Sequence, residues 1–345
     1  MSPTLFKCCL IGYGYWGPNL ARNIHQNKDL DLRRIIDLNV DLVRSAKSDY
    51  PAAICGQDIN LEILEDNDVF FVATPASTHF EICRLILESR KNVAIWIEKP
   101  AFLDKNQQEM IKTLAKQSNS VVFVDHTYKY NAAILEVKRL ISNGKLIDPL
   151  YYLGIRANLG AFQKDINVLW DLAIHDLSII QFLFPDYKPI SVSCNMGNPL
   201  NYGMHNISSL QVNYSNGFSA NIFSSWLSPV KIRLTHFGFR NSTVVFDENE
   251  PSEKVKIYDQ TFLPTDNRLS IDEQRVSYRL GDMHSPKIAN NESLKSAIED
   301  FVNGIKSPEI SLRNQIGSND ELLAVLCAAE QSFIQGGSHK KVDLI

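Results

Sequence analysis

Residues 7–20, KCCLIGYGYWGPNL, decide the fold of the first half of the chain. A short apolar run is followed by glycines at G-x-G-x-x-G spacing and then by a helical pattern that starts at Pro18. A strand that turns through glycines into a helix directs the helix's unpaired N–H groups and positive dipole end toward a phosphate. The pattern therefore predicts a dinucleotide site. The loop that would hold the pyrophosphate contains Gly12, Gly14, Tyr15, Trp16 and Gly17.

The second predicted strand supports the same interpretation. Residues 32–36 are largely apolar and end at Asp37, twenty positions after Gly17. An acid at this position accepts hydrogen bonds from the adenosine ribose and repels a 2′-phosphate, which favours NAD over NADP. The alternative is a glycine-rich turn beside an unrelated surface acid.

Length and composition limit the remaining possibilities. At 345 residues the chain is long enough for about two domains. A net charge of −4, with no block of like charges, argues against nucleic acid and anionic membranes as partners. The six cysteines lie mostly in apolar runs without C-x-x-C spacing, which predicts a reduced, cytoplasmic protein and no metal site. No segment approaches the roughly 18 apolar residues of a membrane span.

Polar side chains follow the apolar strand predicted at 68–73. Thr74 and Pro75 end this strand, and the T-x-x-E pattern at 78–81 resembles a capping box that opens the next helix. Ligands of open α/β sheets bind at the carboxyl ends of the strands, so Thr74 and Pro75 are candidate cofactor contacts. His79 is either a further cofactor contact or an ordinary residue of the first helical turn.

The next predicted strand, 92–97, ends at Glu98-Lys99-Pro100. Lys99 is placed to touch a substrate oxygen over a cofactor cleft, although a solvated loop lysine would satisfy the same pattern. A helix at 105–117 and a strand at 121–125 follow, and residues 126–131 form a connector. Alternating strands and helices predict a doubly wound parallel sheet, with a first domain at 1–128.

The pattern changes in the second half of the chain. After a helix at 132–141, successive short strands are predicted with few helices between them, and Asn216-Gly217 indicates a type I′ hairpin. Strands joined by hairpins form antiparallel sheets, so residues 129–345 are predicted to be an α+β domain with a large, mainly antiparallel, open sheet. The chain closes with helices predicted at 292–304 and 320–336.

The segment 170–180 carries the candidate proton-transfer group of this second domain. Asp171, His175 and Ser178 fall at helical spacing on one face, opposite an apolar stripe. A carboxylate one turn before a histidine can orient the imidazole and increase its basicity, which suits a general base. A helix-terminal charge and a surface histidine are the alternative.

These motifs together resemble the Gfo/Idh/MocA oxidoreductase family. The resemblance covers almost the whole chain and consists of the glycine loop, Ala73-Thr74-Pro75, Glu98-Lys99-Pro100, Trp170-Asp171-x-x-x-His175-Asp176 and Ser332-x-x-x-Gly336-Gly337. It implies an N-terminal Rossmann domain that binds NAD and a C-terminal domain that binds substrate and often forms dimers or tetramers. It also implies Lys99, Asp171 and His175 as the catalytic residues, and it adds Glu98 and Lys99 to the cofactor contacts.

Three further segments resemble the branch of the family that holds nucleotide-sugar dehydrogenases. They are Tyr15-Trp16-Gly17-Pro18-Asn19, Arg156-x-Asn158-Leu159-Gly160 and Asn167-Val168-Leu169-Trp170-Asp171-Leu172. The resemblance implies oxidation of the 3-hydroxyl of UDP-N-acetylglucosamine to a 3-keto sugar, which a partner aminotransferase would use in 3-amino sugar and lipid A synthesis. Tyr128, Arg156 and Asn158 would join the catalytic residues around the sugar. Asp125 departs from the branch, because relatives usually have glycine before the His126-Thr127 pair.

Three other functions remain open on the sequence. The same machinery could oxidise UDP-N-acetylglucosaminuronate, or a free sugar or inositol. A protein of another class, a non-catalytic sensor of dinucleotide or sugar, would share the fold but would not need Lys99, Asp171 and His175 together.

Overall fold

A computed structural model of the chain describes residues 5–160, 162–259, 261–263, 277–279, 281–307 and 312–344. The chain forms two compact units, one of residues 1–130, 291–327 and 344–345 and one of residues 131–290 and 328–343. The break after residue 130 lies two residues from the predicted boundary. The division into 1–128 and 129–345 nevertheless differs from the structure, because residues 291–327 return to the first unit.

The first unit contains a parallel sheet of six strands in the order β3-β2-β1-β4-β5-β6. Its strands are β1 (Phe6–Ile11), β2 (Leu30–Ile36), β3 (Ile54–Gly56), β4 (Val69–Val72), β5 (Ala94–Ile97) and β6 (Val121–Val124). The intervening helices are α1 (Gly17–Gln26), α2 (Val40–Asp49), α3 (Leu61–Glu65), α4 (Ala76–Ser89) and α5 (Lys105–Gln117). The strand order reverses direction between β1 and β4, which confirms the predicted doubly wound Rossmann sheet.

The predicted capping box at 78–81 is wrong. Helix α4 begins at Ala76, two residues earlier, with Pro75 as its N-cap and no side-chain cap. The Thr78 hydroxyl lies at 2.7 Å both from the Pro75 carbonyl and from the Thr74 hydroxyl. Pro75 adopts φ −55° and ψ 143° at the N-cap, a conformation that its ring allows and in which its missing N–H needs no helical partner.

The second unit is built on a sheet of nine strands in the order β16-β13-β12-β11-β7-β10-β9-β8-β17. Apart from the parallel β7–β10 pair, neighbouring strands are antiparallel, as predicted. The sheet strands are β7 (Pro149–Ala157), β8 (Pro189–Gly197), β9 (Ile207–Tyr214), β10 (Ser219–Ser225), β11 (Ile232–Phe239), β12 (Thr243–Asp247), β13 (Val255–Tyr258), β16 (Met283–His284) and β17 (Lys340–Lys341), and β14 (Thr261–Leu263) pairs with β15 (Ser277–Arg279) separately.

Three helical segments belong to the same unit. They are α6 (Ala132–Ser142), a π-helix at Leu169–Ala173 and α7 (Ile174–Leu183). The predicted hairpin between β9 and β10 is present. A type I′ turn needs two residues with positive φ, but in the described turn only Gly217 has one. The predicted type I′ geometry is therefore wrong.

Two late helices complete the chain, α8 (Ser293–Lys306) and α9 (Asp320–Ile334). Phe301 of α8 lies 5.5 Å from Trp96 of β5 and 5.2 Å from Phe123 of β6 between ring centroids. This aromatic cluster is fully buried. Burial of such large rings is a strong driving force, and it explains why α8 joins the first unit rather than the second.

One face of the nine-stranded sheet is uncovered and exposes large apolar side chains among polar ones such as Asn221 and Gln211. Tyr151 and Leu153 of β7 and Phe223 of β10 are 42%, 36% and 38% exposed, while the alternating residues Tyr152 and Ile222 are buried. Within the described part of the chain, no helix has the length and apolar character needed to cross a membrane.

Candidate active site

The glycine loop between β1 and α1 has the geometry of a phosphate cradle. Gly12 has φ +100°, and a Cβ there would lie 2.5 Å from the Ala73 carbonyl oxygen. A Cβ on Gly17 would lie 2.6 Å from the Gly12 carbonyl oxygen, whereas one on Gly14 would meet no atom within 4 Å. Gly12 and Gly17 are therefore required by the fold, and Gly14 leaves an open surface for a pyrophosphate.

The start of α1 is suited to an anion. Its N-cap, Trp16, makes no side-chain capping bond, and no acidic residue lies in the first turn. The first N–H groups of this helix therefore keep their capacity to bind phosphate. Tyr15 is 93% exposed beside the loop, with its ring 6.5 Å from that of Trp16.

Asp37 is held in one orientation at the end of β2. Its Oδ2 accepts a hydrogen bond from the Tyr13 backbone N–H at 2.7 Å, and its Oδ1 accepts one from the Asn39 N–H at 2.8 Å. The carboxylate is thereby tied to the glycine loop and half-buried, where a ribose hydroxyl of a dinucleotide would be recognised. The residues present fit the adenosine half of NAD.

His79 is a buried structural residue. Its side chain is 1% exposed, with Nδ1 lying 3.1 Å from the Pro100 carbonyl and Nε2 lying 2.9 Å from the Thr74 carbonyl. The ring therefore joins the loops that follow β4 and β5. Of the two roles left open by the sequence, the structure supports the packing role, while half-buried Thr74 and exposed Pro75 stay predicted cofactor contacts.

Glu98, Lys99 and Asp125 lie together at the carboxyl ends of β5 and β6. The Asp125 N–H donates to the Ile97 carbonyl at 2.8 Å, which aligns the two strand ends. Glu98 Oε1 and Asp125 Oδ1 are both buried, and burial raises the pKa of each of these two carboxyl groups. Sequence reasoning missed Asp125 as a site residue, although its departure from the usual glycine was the available signal.

A buried chain of side chains fixes the connector after β6. His126 Nε2 lies 2.9 Å from Asn319 Oδ1, Asn319 donates to Gln108 at 2.6 Å, and Gln108 donates to Asp320. Burial lowers the pKa of His126 to about 3, so the ring is neutral. The acceptor at Asn319 selects the tautomer with the proton on Nε2. The half-buried Tyr128, a predicted sugar contact, lies in the 3-10 turn at Thr127–Tyr130.

In the second unit, Asp171 lies in the π-helix and His175 in the first turn of α7. Both are half-buried, and Asp171 Oδ2 accepts a hydrogen bond from the Trp226 indole at 3.0 Å. The predicted two-faced α-helix is wrong, because α7 is buried almost all round and Ser178 is fully buried, donating to the His175 carbonyl at 2.7 Å. A single turn of π-helix within a helical segment is frequently found at functional sites.

Arg156 is 3% exposed and forms an ion pair with fully buried Asp176, with Nε 2.6 Å from Oδ2. The Tyr152 hydroxyl donates to the other oxygen of the same carboxylate. The pair ties β7 to α7 directly beside His175, so the structure gives Arg156 an anchoring role, and its contact with a sugar stays a prediction. Asn158 Oδ1 accepts a hydrogen bond from Arg233 at 2.9 Å.

The structure thus groups the predicted residues within each unit. The glycine loop, Asp37, Glu98 and Lys99 share the carboxyl edge of the first unit's sheet, and Asp171 and His175 share one helical segment of the second unit. The joint action of Lys99 and His175 on one hydroxyl remains a prediction.

Comparison with protein families finds two matches that follow one another along the chain. The model described as "Oxidoreductase family, NAD-binding Rossmann fold" matches residues 6–126, and the model described as "GFO/IDH/MocA C-terminal domain" matches residues 134–244. The first unit is therefore an NAD-binding Rossmann domain, as the glycine loop and Asp37 predicted.

Curated relatives include sugar and polyol dehydrogenases. The chain is 26% identical to scyllo-inositol 2-dehydrogenase (NAD(+)) of Bacillus subtilis over 49% of this chain and 52% of that protein. It is 23% identical to UDP-N-acetylglucosamine 3-dehydrogenase of Acidithiobacillus ferrooxidans over 79% of this chain and 82% of that protein. The chain spans about half the length of the first curated relatives that it matches.

Solved structures share the fold along the whole chain. The UDP-N-acetylglucosamine 3-dehydrogenase of Acidithiobacillus ferrooxidans superimposes with a TM-score of 0.77 at 19% identity, covering 97% of this chain and 99% of that one. An inositol dehydrogenase homolog from Azotobacter vinelandii, solved with NADH and myo-inositol, gives a TM-score of 0.77 at 16% identity, with 98% of each chain covered.

Proposed function

This chain belongs to the Gfo/Idh/MocA oxidoreductase family. From this premise we propose that it is an NAD-dependent oxidoreductase and that it oxidises the 3-hydroxyl of UDP-N-acetylglucosamine to the 3-keto sugar. The observation that carries the proposed chemistry is the Asp171–His175 segment, in which a π-turn and the Trp226 hydrogen bond hold a carboxylate one turn before an imidazole. The nucleotide-sugar substrate is supported by the relative that aligns over 79% of the chain.

In the proposed mechanism, one carbon of the substrate loses a hydride while the hydroxyl group on that carbon loses a proton. His175 takes the hydroxyl proton, and Lys99 donates a hydrogen bond to the oxygen as alkoxide character develops. Asp171 orients His175 and stabilises the imidazolium that forms. Bound NAD supplies the hydride acceptor. The roles of Lys99 and His175 can be exchanged without altering this balance of charges.

A substrate panel tests the proposal. The purified protein is incubated with NAD and, in separate reactions, UDP-N-acetylglucosamine, UDP-N-acetylglucosaminuronate, myo-inositol and free N-acetylglucosamine. We expect nicotinamide reduction and a mass loss of two hydrogens with UDP-N-acetylglucosamine, and position-specific deuterium at C3 should label the reduced cofactor. Turnover of another panel member with none of the nucleotide sugar would contradict the substrate assignment.

The second candidate function is oxidation of an inositol or a free sugar. It is favoured by the inositol dehydrogenases among the relatives and structural neighbours, although the curated ones align over about half of the chain. A non-catalytic sensor is the third candidate, and tight NAD binding without turnover of any panel member would favour it.

The uncovered face of the nine-stranded sheet supports a homodimer or homotetramer as the working assembly. Tyr151, Leu153 and Phe223 expose large apolar side chains there, and exposed apolar side chains of this kind commonly mark interfaces between subunits. The free thiol state of all six cysteines supports a cytoplasmic location. A 3-keto product would be consumed by an aminotransferase, which we include as a proposed partner.

A further inference from the structure

Two carboxyl groups are buried side by side at the carboxyl edge of the first sheet. Asp125 is 2% exposed, and its backbone hydrogen bond to Ile97 places it next to Glu98. Glu98 Oε1 and Asp125 Oδ1 are both shielded from solvent and receive no hydrogen bond from a described donor. Strands β5 and β6 are paired in parallel with Ile97 opposite Val124, so the two acids that follow them stand at neighbouring strand ends, where two buried carboxyl groups of like charge disfavour ionisation of both.

The surroundings of this pair set how many protons it holds. Burial raises the pKa of Glu98 well above its usual range and raises the pKa of Asp125 to about 7, against the opposing influence of Lys99 and Trp16. Because ionisation of one carboxyl group disfavours ionisation of the other, the pair loses only one proton near neutral pH. The pair carries one negative charge above pH 7 and none well below it.

The other titratable groups around the pair respond differently. His126 is neutral because burial holds its pKa near 3, and the hydroxyl of Tyr130 donates to Asp300 at 2.6 Å. The titration of Lys129 has to be separated from that of Asp125 by experiment, because burial lowers the pKa of Lys129 to about 7 as well. Its charge is influenced by Glu321 and Arg313 rather than by Asp125, and its carbonyl binds Arg313.

The position of the pair relates it to the cofactor. A dinucleotide crosses the carboxyl ends of the strands at the switch point between β1 and β4. Asp37 after β2 marks the adenosine side, so the nicotinamide half belongs on the side of β4, β5 and β6, where Glu98 and Asp125 lie. The nicotinamide ring is cationic in NAD⁺ and neutral in NADH. A buried negative charge therefore distinguishes the two rings, because the low local dielectric strengthens its interaction with the cation.

We infer that the Glu98–Asp125 pair makes this site prefer NAD⁺ over NADH, and that Asp125 sets the preference by releasing a proton when the oxidised cofactor binds. The inference rests on NAD binding by the first unit and is independent of the sugar proposed above. It makes Asp125 a specificity-determining residue for the redox state of the cofactor. It also couples NAD⁺ affinity, but not NADH affinity, to pH.

Direct binding measurements test this inference without any turnover. Dissociation constants for NAD⁺ and for NADH are measured by calorimetry between pH 6 and pH 8 on the full chain. If NAD⁺ binds only the ionised pair, its dissociation constant rises about tenfold from pH 8 to pH 6, and that of NADH stays constant. In Asp125→Asn the NAD⁺ constant becomes independent of pH, and the preference for NAD⁺ at pH 8 falls about tenfold or more.

Lys129→Met is the matched control, because it removes a second buried group of similar pKa one turn away and should keep the wild-type pH dependence. The wild-type protein gives an independent readout. Calorimetry in two buffers of different ionisation enthalpy should show about one proton released on NAD⁺ binding at pH 6 and none on NADH binding. This measurement decides the matter even if a variant fails to fold.

Several outcomes would overturn the inference. They are an NAD⁺ affinity that does not vary with pH in the wild type, equal pH dependence for NAD⁺ and NADH, or a pH dependence that Asp125→Asn retains and Lys129→Met loses. Failure of both dinucleotides to bind would overturn the cofactor site itself. Normal binding without sugar oxidation would overturn only the proposed substrate.

Discussion

The cofactor edge of the first unit and the Asp171–His175 segment of the second are held in place by different means. At the cofactor edge, the essential contacts are made by backbone: Gly12 against the Ala73 carbonyl, and Asp37 against the Tyr13 N–H. In the second unit, Asp171 depends on the distant Trp226 indole, and His175 is followed by a buried carboxylate that depends on Arg156. A local motif thus builds the first region, and long-range side-chain partners build the second.

The largest expected effect separates chemistry from cofactor binding. His175→Ala or Lys99→Ala should lower turnover by roughly 10²–10⁴-fold if the replaced residue is the proton acceptor. His175→Ala should leave NAD affinity near the wild-type value, because His175 lies in the second unit. Steady-state kinetics on the nucleotide sugar together with NAD titration check this. Full turnover in both variants would remove these residues from the mechanism.

Breaking the anchor of the second region should cost stability. Arg156→Met leaves the Asp176 carboxylate buried without its charged partner, so we expect a loss of about 3–5 kcal/mol in the free energy of unfolding. Arg44→Met is the control, because its ion pair with Asp41 is exposed on both sides and is expected to contribute about 0–1 kcal/mol. Denaturant unfolding measures both. Equal losses would show that the buried pair does not anchor α7.

The backbone character of the first region can be tested at its glycines. Gly12→Ala places a Cβ against the Ala73 carbonyl at φ +100°, so it should destabilise the protein by about 1–3 kcal/mol and abolish NAD binding. Gly14→Ala meets no neighbouring atom, so it should keep wild-type stability and weaken only the cofactor. Thermal unfolding and NAD titration on both variants provide the comparison. A loss of stability in Gly14→Ala equal to that in Gly12→Ala would argue against this division of roles.

The smallest effect is a pH-dependent one at Asp125. Because burial raises its folded-state pKa to about 7, above the unfolded value near 4, the wild type loses stability as pH rises through this window. Asp125→Asn lacks this loss. The melting temperature of Asp125→Asn minus that of the wild type should therefore increase from pH 4 to pH 7 and stay constant above pH 7. An advantage that is constant over the whole range would contradict the raised pKa.

Much of the first unit could be predicted because its signals are local. The glycine loop, the acid after β2 and the bounds of α5 at Lys105–Gln117 follow from backbone conformation and from short periodic patterns. The same reasoning assigned α8 to the second domain. Its place in the first unit depends on the packing of Phe301 against Trp96 and Phe123, which are distant in the sequence and come close only in the folded chain.

The amino-acid sequence by itself determined the alternation of strands and helices in the first unit, the mainly antiparallel second sheet, the dinucleotide loop and the identity of Lys99, Asp171 and His175 as candidates, since these depend on residue type and spacing. Only the tertiary structure decided that Arg156 is an anchor, that His79 is buried and that Glu98 and Asp125 are buried at neighbouring strand ends. The physical reason is that the charge state and partners of a buried polar group are set by whatever residues of distant segments surround it in the fold.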